Sequence, residues 1–285
     1  MTFSLRAKVL NGVRYSVLGI VAMLMLYPLF WMVVGIWRPN HEIFTSAGLI
    51  PNQPVDGFEN IRNGWIIQGR SLLYYFGNTM RFLIPRVIGQ VVSCVITAYA
   101  MTRFHFKGKK IVFSLIIATL LMPEVIFRIP MFMLYRDLGL LGTYLPLWLE
   151  NAFATGSFFV FMLIQYMRTI PKELDEAAKI DGCNSLQTLV MILVPIMKPA
   201  IITVALLTFM WGMNDFLGPA IYIRESSMWV LQQALRVASD ATGDTGIVWG
   251  EIFAISVMSL VPAITLFFVA QRYFIDGIAS TGSKE

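Results

Sequence analysis

The residues of this chain that could do chemistry are concentrated in one polar segment, residues 168–198. The segment contains several carboxylates that follow a proline, then two adjacent alanines, a glycine and a second proline. Carboxylates and small side chains on a short helix can contact another macromolecule closely, but no nucleophile and base accompany them as a catalytic set requires. The segment therefore predicts a binding surface. Its candidate residues are Glu173, Glu176, Ala177, Ala178, Asp181, Gly182 and Pro195.

The same segment carries the start and stop signals of two short helices. Pro171 suits a first helical turn, and the carboxylates after it favour the positive end of the helix dipole. Leu174 shares one helix face with the two alanines. Gly182 predicts a C-terminal cap at positive φ, and Asn184 or Ser185 predicts the cap of a second helix that ends near Pro195. The apolar stripe predicted for this second helix is Leu186, Leu189, Val190 and Leu193.

A second group of polar residues lies within otherwise apolar stretches, where charged side chains are costly and usually face a partner or water. Asn214 and Asp215 follow Trp211, and an aromatic ring beside an amide and a carboxylate is a common way to hold a sugar. Helix packing and contact with a second subunit are alternative roles. Glu124 precedes Arg128 by four residues, so these two can form an ion pair. The candidate substrate-pathway residues are Trp211, Asn214, Asp215, Glu124 and Asn151.

The elements that position these residues are predicted to be membrane-spanning helices. Hydrophobic residues make up 57% and charged residues 14% of the chain, and its mean hydropathy is +0.68. Soluble domains carry roughly 25% charged residues, whereas a membrane span needs about 20 apolar residues in a row. We predict an all-α membrane protein with one transmembrane domain, residues 1–285. Its six predicted spans are about 15–36, 80–102, 111–135, 144–167, 199–223 and 249–271.

The positions of Lys and Arg predict the orientation of these spans. The short loop 103–110 is rich in both residues, and short loops follow the positive-inside rule best. This loop places both termini and segment 168–198 in the cytoplasm, and the long loops at about 37–75 and 224–248 outside. Residues 3–13 are expected to form an amphipathic stretch along the inner membrane surface.

The sequence lacks the motifs that several other functions require. The sequence has no G-x-x-x-x-G-K-[ST] phosphate loop, so the chain is not expected to hydrolyse ATP itself. His41 and His105 fall on opposite sides of the predicted membrane, so no paired-histidine metal site is expected. Cys94 and Cys183 are too isolated for a disulfide framework.

The polar segment resembles a loop of ABC importer permeases. Glu176-Ala-Ala-Lys-Ile-Asp-Gly182, followed by Pro195, is similar to the EAA loop by which these permeases contact their ATP-hydrolysing partner. Three further segments resemble the carbohydrate permeases most like the second permease of the maltose system. They are residues 99–108, similar to the YAxxRxxFxG segment, residues 211–219, similar to WNDF…P with two residues inserted, and residues 271–277. The chain is identified as a member of the binding-protein-dependent ABC permease family.

This resemblance implies a type I ABC importer permease architecture, in which a cytoplasmic two-helix coupling loop, about 168–198, binds a separate ATPase. ATP and Mg²⁺ are implied to bind that ATPase, and no cofactor is implied for this chain. The implied partners are a second homologous permease subunit, an ABC ATPase dimer on the cytoplasmic face, an extracytoplasmic solute-binding protein and the lipid bilayer, with no nucleic acid. The implied substrate is a sugar or oligosaccharide, and the implied location is the bacterial inner membrane.

Two other classes of function compete with this interpretation. An ion-coupled secondary transporter with Glu124 or Asp215 as the proton site would explain carboxylates within spans. It would not explain the polar segment 168–198, and the inverted repeat of broken helices typical of such transporters is not visible in the sequence. A membrane enzyme is the third class, and no catalytic constellation in the sequence supports it.

Overall fold

Helices account for most of the regular structure in the computed structural model, which describes residues 2–46, 48–240 and 248–282. The only strands in these ranges form an antiparallel hairpin, in which Ile66 pairs with Ser71 and Ile67 with Arg70. The predicted all-α class is therefore confirmed. In chain order the elements are α1 (Thr2–Gly35), α2 (Asn40–Ile43), α3 (Gly57–Gly64), β1 (Ile66–Ile67), β2 (Arg70–Ser71), α4 (Leu72–Arg103), α5 (Lys109–Leu121), α6 (Val125–Asp137), α7 (Leu145–Ala152), α8 (Ser157–Arg168), α9 (Glu173–Ile180), α10 (Ser185–Gln187), a π-helix (Thr188–Leu193), α11 (Val194–Ile196), α12 (Lys198–Met213), α13 (Leu217–Tyr222), a 3₁₀ turn (Ser226–Met228), α14 (Leu231–Asp240) and α15 (Trp249–Gly282).

Among the described residues, four helical segments are long and apolar enough to cross a membrane. Two further helix pairs meet the same criterion together but are sharply bent, by 107° between α5 and α6 and by 80° before α12. Six spans result when each bent pair counts as one. The four segments that meet the criterion by themselves are Ala7–Gly35, Leu72–Arg103, Leu145–Arg168 and Trp249–Val269, and the third of them combines α7 and α8.

Three of the predicted spans contain a break in the helix. Between α5 and α6, Met122 is extended (φ −82°, ψ 134°) because the next residue, Pro123, disfavours a helical conformation before it. Between α7 and α8 the chain leaves the helix, and Ala154 has a φ of +56°. Between α12 and α13 the helix ends at Met213. The predicted continuous spans 111–135, 144–167 and 199–223 are therefore each built from two helices.

The first and last helices are longer than their predicted spans. α1 begins at Thr2, so the predicted surface stretch 3–13 is continuous with the first span instead of forming a separate element. α15 continues past residue 271 to Gly282. All side chains of α1 from residue 7 to residue 30 are exposed, so lipid or another protein must cover this helix.

The described residues form two compact units, one from within 1–72 and 235–261 and the other from within 73–234 and 262–285. In the first unit, the rings of Trp31 and Phe253 lie 5.3 Å apart, edge to face. The Asn60 side chain donates a hydrogen bond to the Ile36 carbonyl at 2.6 Å, and Asp56 caps α3. These contacts join α1 to α15, and α3 to the chain just after α1. The organisation as a single domain stays a prediction.

The second unit contains the apolar core that supports segment 168–198. Leu163 and Met167 of α8 are fully buried, as are Leu193 at the end of the π-helix and Met197 just before α12. They pack with Cys94, Ala98 and their neighbours on α4. The core therefore joins the polar segment at both of its ends to helices that can cross a membrane.

Candidate functional site

The first helix of the polar segment, α9, has the predicted start and end. Glu173, Asp175 and Glu176 occupy its first turn, where the helix dipole favours negative charge. At its end Gly182 has a φ of +85°, the Gly182 N–H donates to the Lys179 carbonyl at 3.2 Å, and the Cys183 N–H donates to the Ala178 carbonyl at 2.9 Å. This pair of bonds is a Schellman motif, which is why a glycine ends the helix here.

The second helix begins with a capping box. The Gln187 N–H donates to the Asn184 side chain at 2.9 Å, and the Asn184 N–H donates to the Gln187 side chain at 2.8 Å. Of the two predicted caps, Asn184 is the one used. The helix then continues as a π-helix, which the sequence pattern did not predict, and Pro195 lies in α11, two residues after the π-helix ends.

The apolar residues of this segment divide between a buried and an exposed side. Ala178 is 2% exposed, whereas Ala177 and Leu174 of the same predicted face are exposed. The predicted stripe of the second helix is likewise divided, because Leu189 and Leu193 are buried while Leu186 and Val190 are not. We define the docking surface as five of the exposed apolar residues of this segment, Ala177, Ile180, Leu186, Val190 and Met191.

The C-terminal end of α4 holds both short helices in place. The predicted orientation puts this end of α4 in the cytoplasm. Arg103 Nε lies 2.9 Å from Asp175 Oδ2, and these side chains are only 8% and 20% exposed. The Arg103 guanidinium also donates to the Ile170 carbonyl at 3.0 Å, and the Tyr99 hydroxyl donates to the Ser185 carbonyl at 3.1 Å. Tyr99 and Arg103 are four residues apart and so share one face of α4. Sequence reasoning noticed both residues within a motif but did not assign them this role.

Asp215 is joined to α4 by an ion pair within the apolar region. Arg86 Nη1 donates to Asp215 Oδ2 at 2.9 Å, with the two side chains 14% and 13% exposed. The Gly218 N–H donates to the other carboxylate oxygen of Asp215 at 2.9 Å. Asn214 points elsewhere: it is exposed, and its amide donates to the Met210 carbonyl at 2.8 Å. Asp215 is thus engaged inside the protein, and Asn214 is accessible.

The remaining pathway candidates each have a contact of their own. Trp211 packs against the rings of Phe158 and Phe159, with centroids 6.0 and 5.1 Å away. Glu124 lies 3.1 Å from Arg128, so the suggested ion pair is present. The Asn151 backbone carbonyl accepts a hydrogen bond from the Ser93 hydroxyl at 3.2 Å. Their pathway role stays a prediction.

Sequence reasoning missed a second polar contact in the same region. The Tyr222 hydroxyl donates to Glu150 Oε1 at 2.7 Å, which links α13 to α7. The Tyr222 backbone carbonyl also accepts a hydrogen bond from the Gly142 N–H at 2.8 Å. A glutamate in an apolar stretch was a signal that could have identified Glu150, since such a group needs a polar partner.

The comparison with protein families identifies the class of protein to which this arrangement belongs. A family described as "Binding-protein-dependent transport system inner membrane component" matches residues 90–279. The chain belongs to this family. The matched region contains α9, the docking surface, the Arg103–Asp175 pair and the Arg86-bound Asp215. The permease is therefore a multi-pass membrane component of a binding-protein-dependent transport system, and the ion-coupled transporter interpretation is not supported.

Similar proteins agree with this assignment over nearly the whole chain. The probable ABC transporter permease protein YurM of Bacillus subtilis is 31% identical over 265 residues, covering 90% of this chain and 83% of the relative. The arabinooligosaccharides transport system permease protein AraQ of Halalkalibacterium halodurans is 30% identical over 266 residues, covering 93% of each.

A solved structure shows that the fold is also that of an ABC importer permease. It is the crystal structure of a bacterial ABC transporter involved in the import of the acidic polysaccharide alginate. The matched chain has a TM-score of 0.79 and 25% identity, with 94% of this chain and 97% of that chain covered.

Proposed function

We propose that this permease forms half of the translocation pathway of an ABC importer for a sugar or oligosaccharide, and that segment 168–198 couples it to a separate ATPase. The observation that carries the proposal is the docking surface, because it is apolar, exposed and attached to α4. Ile180 is 87% exposed and Leu186 is 68% exposed. A water-facing apolar surface on short helices is typical of a protein interaction site.

The contacts of segment 168–198 with α4 indicate how movement of the short helices passes to the membrane helices. A partner that binds α9 pulls on Asp175, which is paired with Arg103 of α4. A partner that binds the second helix moves Ser185, whose carbonyl accepts a hydrogen bond from Tyr99, also of α4. Movement of either short helix is therefore transmitted to the same end of one long helix, which carries Arg86 and its bond to Asp215 further along.

ATP and Mg²⁺ in this proposal bind the partner ATPase, and this chain contributes the docking surface alone. The same scheme places both termini of the permease in the cytoplasm, a second homologous permease beside it, and a solute-binding protein on the opposite membrane face. It is supported by family membership and by the similarity to an ABC transporter structure.

The proposal of a carbohydrate substrate is supported by the names of similar permeases. One relative is an arabinooligosaccharides permease, and the lactose transport system permease protein LacG of Rhizobium radiobacter is 27% identical, with 98% of each chain covered. The reconstituted importer, with its solute-binding protein, should show ATPase stimulation by at least one member of a panel of disaccharides and oligosaccharides. A response to amino acids or peptides alone would contradict the carbohydrate assignment.

Substitutions in the docking surface test the coupling role directly. Ile180→Asp and Leu186→Asp each place a charge where an apolar side chain would be buried by the ATPase. Burial of such a side chain contributes about 1.5–3 kcal/mol, so we expect at least about a 10-fold loss of ATPase binding. Leu138→Asp is the matched control, because Leu138 is 60% exposed but lies after α6, outside segment 168–198.

The measurement is the amount of ATPase subunit that co-purifies with each membrane-inserted variant. Retention by Leu138→Asp together with loss by the other two variants supports the proposal. Equal retention by all three variants would show that segment 168–198 is not the coupling element.

A further inference from the structure

A cavity of about 560 Å³ lies where the ends of α4 and α8 meet the starts of α5 and α9. It is distinct from the docking surface and from the polar residues around Asp215, whose side chains do not line it. Its wall is formed by three separate stretches of the chain, residues 101–103, residue 109 and residues 168–173. The charged residues of the wall are Arg103, Lys109, Arg168, Lys172 and Glu173.

Most of the positive charge on this wall is not neutralised by the protein. Arg103 is paired with Asp175, but Lys109, Arg168 and Lys172 are absent from the ion pairs found among the described residues. Glu173 is the single carboxylate on the wall. Three cations therefore remain against one carboxylate, and a concave surface of one sign attracts a ligand of the opposite sign.

Two of these cations are held in fixed positions by the chain itself. Lys109 Nζ donates to the Phe104 carbonyl at 2.8 Å, and the Arg168 guanidinium lies over the ring of Phe113, 4.9 Å from its centroid. Neither contact removes the positive charge, and an arginine stacked on an aromatic ring can still donate hydrogen bonds to a phosphate. The cavity is thus prepared for an anion before the anion arrives.

The surroundings of the cavity indicate the source of the anion. Phe104 and Phe106, in the loop that precedes α5, are 43% and 42% exposed. Along α5, Ile111 is 68% and Leu115 is 59% exposed, and α5 belongs to a pair of helices apolar enough to cross a membrane. Exposed apolar residues beside a basic cavity at the end of such helices are typical of contact with a lipid tail and its headgroup.

We propose that this cavity binds the phosphate group of an anionic phospholipid, whose acyl chains lie along the exposed side of α5. The cavity wall continues through residues 169–173, which lead directly into α9. A bound headgroup therefore contacts the residues that connect α8 to α9. Retention of an anionic lipid should be a property of the permease even without nucleotide or solute.

The test compares two pairs of substitutions in the full-length permease, purified with whatever subunits accompany it. Lys109→Gln combined with Arg168→Gln removes two charges from the cavity wall. Lys107→Gln combined with Lys110→Gln removes two charges from the same part of the chain that do not line the cavity. If each cation that contacts the bound phosphate contributes about 1 kcal/mol, loss of the cavity pair weakens lipid binding on the order of 30-fold. The control pair makes no such contact, so its loss should remove only the general attraction, which salt screens over about 10 Å.

Binding is measured in nanodiscs of phosphatidylcholine with increasing phosphatidylglycerol, as retention of labelled phosphatidylglycerol. The single variant Lys172→Gln should weaken retention about 5-fold. Lys172 is exposed, so this variant tests the proposal even if the double variant does not fold. Inorganic phosphate is added in a parallel series and should not displace the lipid.

Loss of retention in the cavity variants but not in the control pair supports the proposal. Equal losses in both pairs would show general charge attraction and overturn it. Displacement of the label by inorganic phosphate would overturn the lipid assignment in favour of a soluble anion. The experiment measures lipid retention, not transport or ATPase binding. A negative result for the lipid proposal is therefore distinguishable from a negative result for the proposed function.

Discussion

Gly182 should control the strength of coupling to the ATPase through its backbone conformation alone. Its φ is +85°, and a Cβ added there would meet no atom within 4 Å. A larger side chain therefore costs no steric clash with neighbours, only the strain of a positive φ. That strain is about 1–3 kcal/mol for a residue other than glycine, and it is greatest for a β-branched side chain.

The strain acts on the orientation of the second short helix relative to α9. Gly182→Val shifts the loop away from its Schellman conformation, so only a fraction of molecules present both helices correctly. Apparent affinity for the ATPase falls by that fraction, which corresponds to about 5- to 150-fold for the strain given above. Gly182→Asn should retain most of the affinity, because asparagine tolerates the left-handed region.

Gly139 provides a matched control for this substitution. It also ends a helix at positive φ (+68°), and its added Cβ would meet no atom within 4 Å. Its N–H donates to the Arg136 carbonyl at 3.0 Å, and the Leu140 N–H donates to the Tyr135 carbonyl at 2.9 Å, which is the same motif as at Gly182. Gly139→Val imposes a similar local strain outside segment 168–198.

The assay is co-purification of the ATPase, followed by solute-stimulated ATP hydrolysis and transport in liposomes. We expect normal membrane insertion of both valine variants, and loss of coupling for Gly182→Val only. Wild-type transport by Gly182→Val with an intact complex would refute the assignment of segment 168–198 as a coupling loop. Equal losses for the two valine variants would refute the specific role of Gly182.

Three further predictions concern the membrane region and the division of labour between subunits. Asn214→Ala should reduce transport or solute-stimulated ATP hydrolysis without lowering the amount of assembled complex. In a background without Cys94 and Cys183, the Asn214→Cys variant should react with a small polar thiol reagent in the resting or the ATP-trapped state. No reaction in either state, together with normal transport by Asn214→Ala, would show that residue 214 is not part of the pathway. The purified chain alone should neither bind nor hydrolyse ATP, and micromolar nucleotide affinity would contradict this. Arg86→Gln and Asp215→Asn should each lower thermal stability in detergent by about 1–3 kcal/mol, and the double variant should lose less than the sum, whereas additive losses would show that the pair does not interact.

Local signals in the sequence predicted the ends of the short helices well. Gly182 and Asn184 act through the backbone atoms of their own neighbourhood, so residue type and spacing suffice to predict a cap. The apolar composition likewise predicted the class of fold, because a bilayer permits few alternatives to helices. The resemblance of residues 176–182 to a known loop led to the family that the comparisons establish.

Contacts between distant parts of the chain were not predictable in the same way. Arg86 and Asp215 are 129 positions apart, and Arg103 approaches Asp175 only after α4 and α9 have packed. Pairing of this kind depends on tertiary structure that periodicity does not encode. The predicted stripe of the second helix is divided for a related reason, because the π-helix Thr188–Leu193 rotates side chains differently from the α-helical spacing that was assumed.

The break between α5 and α6 has a consequence for the fate of a newly made copy of this chain. The Glu124 side chain there is 79% exposed, although the two helices together are apolar enough to cross a membrane. Hydrocarbon can satisfy neither a carboxylate nor the backbone groups that a helix break releases, and a carboxylate at mid-bilayer costs about 2.5–3.5 kcal/mol. A copy without a protein or water-filled neighbour at this position is therefore less stable than an assembled one. We expect orphan copies to be recognised and degraded first, so that survival of the chain in the cell follows the supply of its neighbour.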